Sequence, residues 1–319
     1  MATDWLAELD GTSLVVEVPA SSANLGAGYD CLGVALAMDN RIELGVRVGG
    51  GSEIELTVDG EGRHELTEDR QNRFVMGLEA SLRQAGGELP DHVGWRIRMH
   101  NEIPLTRGLG SSAAATVAGL LAGNRLAGEP LSTNELLRLA TEIEGHPDNA
   151  AAALLGGFVV STASADGVDA IRFDAPTDLR AVLFIPDLRL ETRAMRAALP
   201  SSVPLADAVA NLGAVAIGVA GLAIGRYDLL RRLTVDRLHE PYRAAVYPQL
   251  PGMVEAARSA GALGACLSGA GSAILAFADA AGAGQVEAAL TAAAATMGLT
   301  GRAAVVELRN GGAKVVASA

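Results

Sequence analysis

Aromatic residues are scarce in this chain of 319 residues: Phe, Trp and Tyr together make up 3%, although half of the sequence is apolar. The core must therefore be built mainly from Ala, Val, Leu and Ile. The abundance of alanine and glycine favours closely packed helices and tight turns. The length allows one large or two ordinary domains.

Cysteine is nearly absent, since the chain has only two, Cys31 and Cys266, far apart in the sequence. No CxxC pair and no Cys/His cluster occurs, and the five histidines are scattered. This excludes the ligand spacing of a structural zinc site. Both cysteines are predicted to be small buried apolar residues.

Positive charge is in deficit, with 25 basic and 37 acidic residues and a net charge of −12. A nucleic-acid backbone is therefore excluded as the main partner, because phosphate binding along a backbone needs a basic surface. A small anion held by backbone N–H groups and a few arginines stays compatible with this charge.

Signals for export or membrane insertion are also lacking. The N-terminal stretch "MATDWLAELDG" is polar and acidic, which is not typical of a signal peptide. The longest apolar stretch, residues 208–224, is rich in Ala and Gly and predicts a buried helix rather than a membrane span. We expect a cytoplasmic protein with no membrane partner.

The hydrophobic pattern predicts an α+β protein of two closely packed domains, a β-rich one over residues 1–160 and a second over 161–319. Strands are predicted at 13–18 and 94–100, and a hairpin at 41–58 turns at "GGG". Helices are predicted near 72–87, from 111 and from 132, and strands and helices alternate after about residue 155.

A glycine-rich loop, "PLTRGLGSSAAA" at 104–115, lies between a predicted strand and a predicted helix. Unpaired N–H groups at a helix start, together with glycines that allow close approach, make an anion site. Ser111 and Ser112 add hydroxyls. The lysine of the loop GxxxxGK[ST] is missing. An ordinary helix start with small capping residues explains the segment equally well when it is taken alone.

Three further segments concentrate polar side chains: "PASSANLGAGYDCLGVAL" at 19–36, "EGHPDNAAAALLGG" at 144–157 and "LSGAGSAILAF" at 267–277. Each has a plain structural interpretation, as a turn, a helix cap and a bulge or hairpin respectively. Each could also bring side chains or backbone close to a ligand.

The order and combination of these four segments resemble the GHMP kinase superfamily and, within it, the homoserine kinases. The resemblance covers about residues 13–308. It implies a β-rich nucleotide-binding domain followed by a ferredoxin-like α/β sandwich. It also implies transfer of the γ-phosphoryl group of ATP, with Mg²⁺, to the side-chain hydroxyl of L-homoserine in threonine biosynthesis.

The resemblance also implies the site residues. The ATP phosphates would be held by Pro104, Leu105, Thr106, Arg107, Gly108, Leu109, Gly110, Ser111, Ser112, Ala113 and Ala114. The Mg²⁺ ligands would be Ser112 and Glu144, with Glu142 as the alternative to Glu144. The amino-acid substrate would contact Asn24, Asp30, His146, Asp148, Asn149, Arg196, Arg243 and Gly269.

Four of these residues would take part in catalysis: Ser112, Glu144, Asp148 and Asn149. Other superfamily members have an aspartate near the reacting hydroxyl, whereas the pattern here places Asn149 there, and an amide cannot accept a proton. We therefore expect catalysis by positioning without a strong general base. "GAGYD" in place of "GPGFD" and "SGAGSA" in place of "SGAGPT" depart mildly from the family pattern.

Other functions stay open at this point. The acceptor could be threonine, mevalonate or a sugar, although the Asp and His of "GHPDN", together with the two arginines, favour a zwitterionic amino acid over an uncharged sugar. The protein could also be a ligand-binding regulator, but its loop serines and acidic residue are retained. A dinucleotide-binding fold is set aside, because no GxGxxG with a later ribose-binding acid fits. A homodimer is left open.

Overall fold

Two β-sheets with helices packed against them form the framework of the chain. The computed structural model describes residues 7–49, 53–67, 69–86 and 93–318. The start of the N-terminal stretch (1–6), most of the predicted "GGG" turn (50–51) and the glycine predicted to end the helix at 87 lie outside the described residues.

The described strands fall into a seven-stranded and a four-stranded sheet. They are β1 (Ser13–Ala23), β2 (Leu32–Val48), β3 (Ile54–Gly60), β4 (Val93–Asn101), β5 (Phe158–Ser164), β6 (Gly167–Phe173), β7 (Leu179–Pro186), β8 (Gly264–Leu267), β9 (Ile274–Asp279), β10 (Gly301–Glu307) and β11 (Lys314–Ser318).

The described helices lie mostly where helical periodicity predicts them. They are α1 (Arg73–Gly86), α2 (Ser111–Leu126), α3 (Thr133–Glu144), α4 (Asp148–Leu155), α5 (Thr192–Ala197), α6 (Leu205–Ala223), α7 (Leu230–Leu233), α8 (Glu240–Arg243), α9 (Leu250–Ser259) and α10 (Ala283–Thr296). Two single-turn 3₁₀ helices occur at Ala7–Leu9 and Tyr227–Leu229.

The first sheet has the order β11-β1-β2-β4-β3, and β5 and β6 extend it from β2. The predicted hairpin between β2 and β3 is wrong, because β4 lies between them. β4 alternates buried and exposed residues and pairs antiparallel with β2, placing Trp95 opposite Val46. β3 pairs parallel with β4, and the chain crosses over between them through α1.

Small residues let helices α1 and α2 pack at very short range. A Cβ atom on Gly119 would lie 2.0 Å from the carbonyl oxygen of Phe74, and one on Gly77 would lie 2.3 Å from that of Thr116. Glycine at both positions therefore permits backbone-to-backbone contact. This explains how a chain poor in aromatic residues still forms a dense core.

The second sheet has the order β10-β7-β9-β8 with all neighbours antiparallel. Its chain order, strand–helices–strand–strand–helix–strand, is that of a ferredoxin-like sandwich. The predicted α+β fold class is therefore confirmed. Cys266 is fully buried in β8 as predicted, whereas Cys31 is half-buried.

Two strands cross the predicted domain division at residue 160. β6 pairs with β5, and β11 pairs with β1, so both belong to the first sheet although they come after residue 160. Neither strand was expected from the hydrophobic pattern, since β6 has half-buried and exposed positions only. The division at residue 160 stays a prediction.

Only four of the 19 residues of the apolar helix α6 are buried, so the prediction of a buried helix at 208–224 is wrong. Its buried residues form one narrow stripe, while Leu205, Leu212 and Ile224 are 80%, 71% and 74% exposed. Among the described residues, α6 is the one helix that is long enough and apolar enough to cross a membrane, judged by length and composition alone. Of its most apolar 18-residue window, 22% is buried.

The carboxyl group of Glu240, at the start of α8, is turned into the protein and accepts a hydrogen bond from the N–H of Leu267 at 2.7 Å. Burial raises the pKa of Glu240 to about 8. The folded protein therefore retains a proton that the unfolded chain releases at lower pH. Folding stability consequently falls between the ordinary glutamate pKa of 4.5 and about pH 8.

We therefore expect Glu240→Gln, which keeps the acceptor oxygen, to raise the melting temperature by roughly a few degrees at pH 8 and to change it little at pH 4. Differential scanning calorimetry at both pH values checks this. An equal loss of stability at the two pH values would show that the carboxyl group is not the source of the pH dependence.

Candidate active site

The four sequence motifs meet around one cavity of about 240 Å³. The predicted residues that line it are Asn24, Asp30, Pro104, Thr106, Arg107, Gly108, Leu109, Gly110, Ser111, Ser112, Ala113, Glu144, His146, Asp148, Asn149, Arg196, Arg243 and Gly269. Two predicted residues do not line it: Ala114 is buried in the core, and Leu105 lies in an adjoining groove.

The glycine loop ends at Gly110, which precedes α2 with a left-handed φ of 72°. Among the described residues no side chain caps α2, so the N–H groups of its first turn are available at the cavity wall. A Cβ atom on Gly110 would lie 2.1 Å from Ser21 Oγ and 3.1 Å from Asn149 Oδ1. Only glycine therefore fits where the loop passes these two groups.

The glycine-rich loop at 104–115 is held in place by the segment "LSGAGSAILAF" at 267–277. Ser268 Oγ donates to the carbonyl of Gly108 at 2.6 Å, and the N–H of Ala273 donates to the carbonyl of Arg107 at 2.9 Å. Arg107 itself donates to the carbonyls of Leu105, Pro186 and Asp187. Its guanidinium group thus fastens the loop to the end of β7, although it also touches the cavity.

An acidic oxygen lies beside the helix start. Glu144, the last residue of α3, accepts hydrogen bonds at its Oε1 from Ser112 Oγ (3.0 Å) and Thr116 Oγ1 (2.7 Å). Its side chain is 7% exposed. Arg73 Nη1 lies 3.8 Å from the same oxygen. By contrast, Glu142 points away from the cavity and pairs with Arg138.

The segment "EGHPDN" forms the junction between α3 and α4. Gly145 ends α3 with a φ of 85°, and Asp148 begins α4. The side chain of Asp148 accepts from the N–H of Asn149 at 2.7 Å and lies 2.8 Å from Nδ1 of His146. Burial lowers the pKa of His146, but the hydrogen bond and charge of Asp148 outweigh it, so the net pKa is raised.

An ion pair also lines the cavity. Arg196 on α5 makes a bidentate contact with Asp30, at 2.6 and 2.9 Å, and donates to the hydroxyl of Tyr29 at 2.7 Å. Nη1 thus uses both of its hydrogens, whereas Nη2 uses one and keeps one that a ligand could accept. The centroid of the tyrosine ring lies close to two cations, 5.4 Å from the Arg196 guanidinium carbon and 5.5 Å from that of Arg243.

The carbonyl of Gly269 joins two distant motifs. It accepts from Asn24 Nδ2 at 2.8 Å and from Arg243 Nη1 at 3.0 Å. Asn24 Oδ1 in turn accepts from the N–H of Asp30 at 3.0 Å. Arg243 is 1% exposed. The expected substrate residues are thus held in fixed positions by neighbours.

Histidine spacing in the sequence indicates no metal site, yet the fold groups Asp30, His146 and Asp148 with ligand atoms within 4.8 Å of one another. In the folded chain, Asp30 is paired with Arg196 and Asp148 with His146. Four cavity residues were not predicted from the sequence: Ala23, Arg73, Thr192 and Ala270. Thr192 could have been found, because it lies one helical turn before Arg196.

The comparisons with known proteins agree with this architecture. The family described as "GHMP kinases N terminal domain" matches residues 73–157, and that described as "GHMP kinases C terminal" matches residues 204–296. The fold, the loop and these two matches define a kinase of the GHMP class.

Individual relatives narrow the class. A homoserine kinase from Synechococcus sp. (strain CC9605) is 41% identical over 304 residues, 95% of each chain. One from Moorella thermoacetica is 42% identical over 266 residues, 82% of this chain and 86% of that one. The crystal structure of homoserine kinase from Cytophaga hutchinsonii matches with a TM-score of 0.84 at 31% identity, covering 95% of this chain and 97% of that one. The chain belongs to the homoserine kinase family.

Proposed function

We propose that the protein transfers the γ-phosphoryl group of MgATP to the side-chain hydroxyl of L-homoserine, giving O-phospho-L-homoserine for threonine biosynthesis. The observation that carries this proposal is a single cavity. It is lined both by an uncapped helix start and by an Asp/Arg pair suited to a zwitterion.

The phosphates of ATP would lie at the start of α2, where the N–H groups of Ser111, Ser112 and Ala113 face the cavity. A second groove adjoins the loop and shares Arg73, Thr106, Ser111 and Ser112 with the cavity. We assign this groove to the adenosine part of ATP, because it adjoins the loop that would hold the phosphates.

The oxygens at the helix start suit Mg²⁺. Ser112 Oγ and Glu144 Oε1 are 3.0 Å apart, and a hydroxyl and a carboxylate are the hard ligands that this ion prefers. When bound, Mg²⁺ neutralises charge on the phosphates. Arg73, at 3.8 Å from Glu144, adds positive charge on the same side.

The amino acid would bind by its two opposite charges. Its ammonium group suits Asp30 and its carboxylate suits Arg196 and Arg243, so it would bind beside or between the Asp30–Arg196 pair. Its hydroxyl would then lie near Asn149, whose Oδ1 accepts from Ser21 Oγ at 3.0 Å. Positioning and charge neutralisation, rather than a strong base, would drive the transfer.

A coupled assay of ADP release with ATP and Mg²⁺ tests this function against a panel of L-homoserine, L-threonine, mevalonate and sugars. We expect turnover with L-homoserine to exceed that with every other acceptor. Preference for mevalonate or threonine would change the substrate and keep the chemistry. ATP binding without turnover on the whole panel would identify a ligand-binding regulator instead. A cytoplasmic location stays a prediction.

We also propose that the protein forms a homodimer through the exposed face of α6. From residue 208 to 225 this helix and its end carry no charge, and its exposed side includes Val209, Leu212 and Ile217. A second copy would cover the same face by two-fold symmetry.

We expect Leu212→Glu to convert the dimer into a monomer, because it places two buried charges opposite each other in a symmetric interface. Light scattering after size-exclusion chromatography measures the mass. The matched control is Ile171→Glu, which changes an exposed apolar residue on β6 and should leave the mass unchanged. A monomeric unmutated protein at micromolar concentration would contradict the dimer.

A further inference from the structure

The imidazole ring of His239 is completely buried behind Arg243, one of the arginines assigned to the substrate carboxylate. Its Nε2 lies 2.8 Å from the carbonyl of Gly26, in the loop that also carries Asn24 and Asp30. Its Nδ1 lies 3.0 Å from Arg243 Nη1. The ring therefore bridges two parts of the chain that border the cavity.

The two neighbours determine where the ring proton lies. A carbonyl oxygen only accepts, so Nε2 must carry the hydrogen that is donated to Gly26. A guanidinium group only donates, so Nδ1 must be an unprotonated acceptor for Arg243. His239 is therefore neutral with a single allowed tautomer. Burial, opposed by the charge of Asp236 and assisted by that of Arg243, lowers its pKa to about 4.

The remaining neighbours hold the ring in this orientation. Asp236 lies 3.7 Å from Nε2, but its oxygens accept the N–H groups of residues 238–240 and the side chain of Asn211. Those N–H groups belong to the first residue of α8 and to the two residues before it. The centroid of the Tyr29 ring lies 5.2 Å from that of the imidazole ring. The ring is thus held by helix capping and by aromatic packing.

The bond to His239 also sets which face of Arg243 is free. Nη1 has two hydrogens, and both are used, one by His239 and one by the carbonyl of Gly269. Nε points to the carbonyl of Met195 at 3.5 Å. Within the described part of the chain, no group accepts from Nη2, and Arg243 lines the cavity. The two hydrogens of Nη2 are therefore the ones left for a ligand.

We infer that His239 is a positioning residue, whose unprotonated Nδ1 fixes the rotation of the Arg243 guanidinium so that Nη2 faces the carboxylate of the amino-acid substrate. The inference rests on the proposed function for the identity of that substrate. The orientation of Arg243 and the tautomer of His239 do not depend on it.

Two substitutions of His239 test its two hydrogen bonds, to Arg243 and to Gly26, one at a time. The side-chain oxygen of Asn can occupy the position of Nδ1, so His239→Asn keeps an acceptor for Arg243 and loses the donor to Gly26. The amide of Gln can reach the position of Nε2, so His239→Gln keeps that donor and loses the acceptor. If the ring acts through Arg243, the Asn variant should be the more active of the two.

We expect His239→Gln to raise KM for L-homoserine about 10- to 100-fold, since a hydrogen bond to a charged group is lost, with KM for ATP unchanged. His239→Asn should stay within about threefold of the unmutated enzyme. In an Arg243→Lys background, His239→Gln should raise KM for L-homoserine little further, because the two residues act as one unit. His100→Gln, a half-exposed histidine that pairs with Asp59 outside the cavity, is the matched control.

Nitrogen NMR of the histidine rings provides a test that needs no turnover. At pH 7 the His239 ring should show a protonated Nε2 and an unprotonated Nδ1. The Nη1 hydrogens of Arg243 should exchange slowly with solvent in the unmutated protein and faster in His239→Gln. The reversed tautomer would overturn the inference, and so would equal effects of Asn and Gln on KM for L-homoserine. Absence of turnover with L-homoserine, with the expected tautomer and slow exchange, would reject the substrate and retain the positioning role.

Discussion

Glu144→Gln is expected to lower kcat on the order of 10³-fold while leaving the protein folded. The carboxylate contacts Ser112 and Thr116 at the start of α2, and it is the acidic group we assign to Mg²⁺ there. The substitution removes one negative charge and one strong oxygen ligand from the group that stabilises the transferred phosphoryl. The hydrogen bond from Thr116 can be kept by the amide oxygen, so stability should change little.

The measurement is the initial rate at saturating ATP and L-homoserine over a range of Mg²⁺ concentrations. The variant should need more Mg²⁺ for half-maximal rate. Glu142→Gln is the matched control, since Glu142 lies on the same helix and pairs with Arg138 away from the cavity. If the control loses activity and Glu144→Gln does not, the assignment of the metal ligand is reversed.

Arg196→Met is expected to raise KM for L-homoserine roughly 100- to 1,000-fold, with a much smaller effect on KM for ATP. Removing the guanidinium deletes a ligand for the substrate carboxylate and leaves Asp30 as an unpaired carboxylate in the cavity wall. About a third of each side chain of this pair is exposed in the free protein, and a bound amino acid would cover it. Loss of one partner of a covered, hydrogen-bonded charge pair costs about 2–5 kcal/mol. Methionine keeps most of the side-chain volume, so packing of α5 should survive.

Steady-state kinetics with each substrate varied in turn gives the two Michaelis constants. Arg193→Met provides the control, because Arg193 is exposed on the same short helix and does not line the cavity. An unchanged KM for L-homoserine in Arg196→Met would remove this arginine from the substrate site.

The local pattern of apolar, polar and glycine residues predicts much of this fold. It fails where a strand or helix packs against elements that are distant in the sequence. The loop, the capped helix α3 and the strand–loop–strand at 264–279 depend on neighbouring residues, and each is found where the sequence predicts it. The predicted hairpin between β2 and β3 is wrong because β4, which carries a row of buried side chains, pairs with β2 instead. α6 has a core-like composition, and nothing in a single sequence shows that little packs on it.

The candidate site divides in the same way. Motif resemblance supplied the residues that line the cavity, since each lies in a short recognisable segment. The relations between segments could not be read from spacing. Examples are the Arg107 contacts to the end of β7, the pairing of Arg196 with Asp30 and the His239–Arg243 bond. The first two contacts join residues that only the tertiary fold brings together. His239 and Arg243 are four residues apart in the sequence, but the role of their bond depends on the contact of His239 with Gly26.

The pairing of β11 with β1 has a consequence for how the protein is made. A ribosome synthesises β11 about 290 residues after β1, so this edge of β1 has no partner until β11 leaves the exit tunnel. The ferredoxin-like sheet is completed by β10 and does not need β11. The nucleotide-binding half of the enzyme, although translated first, is therefore the half whose sheet is finished last.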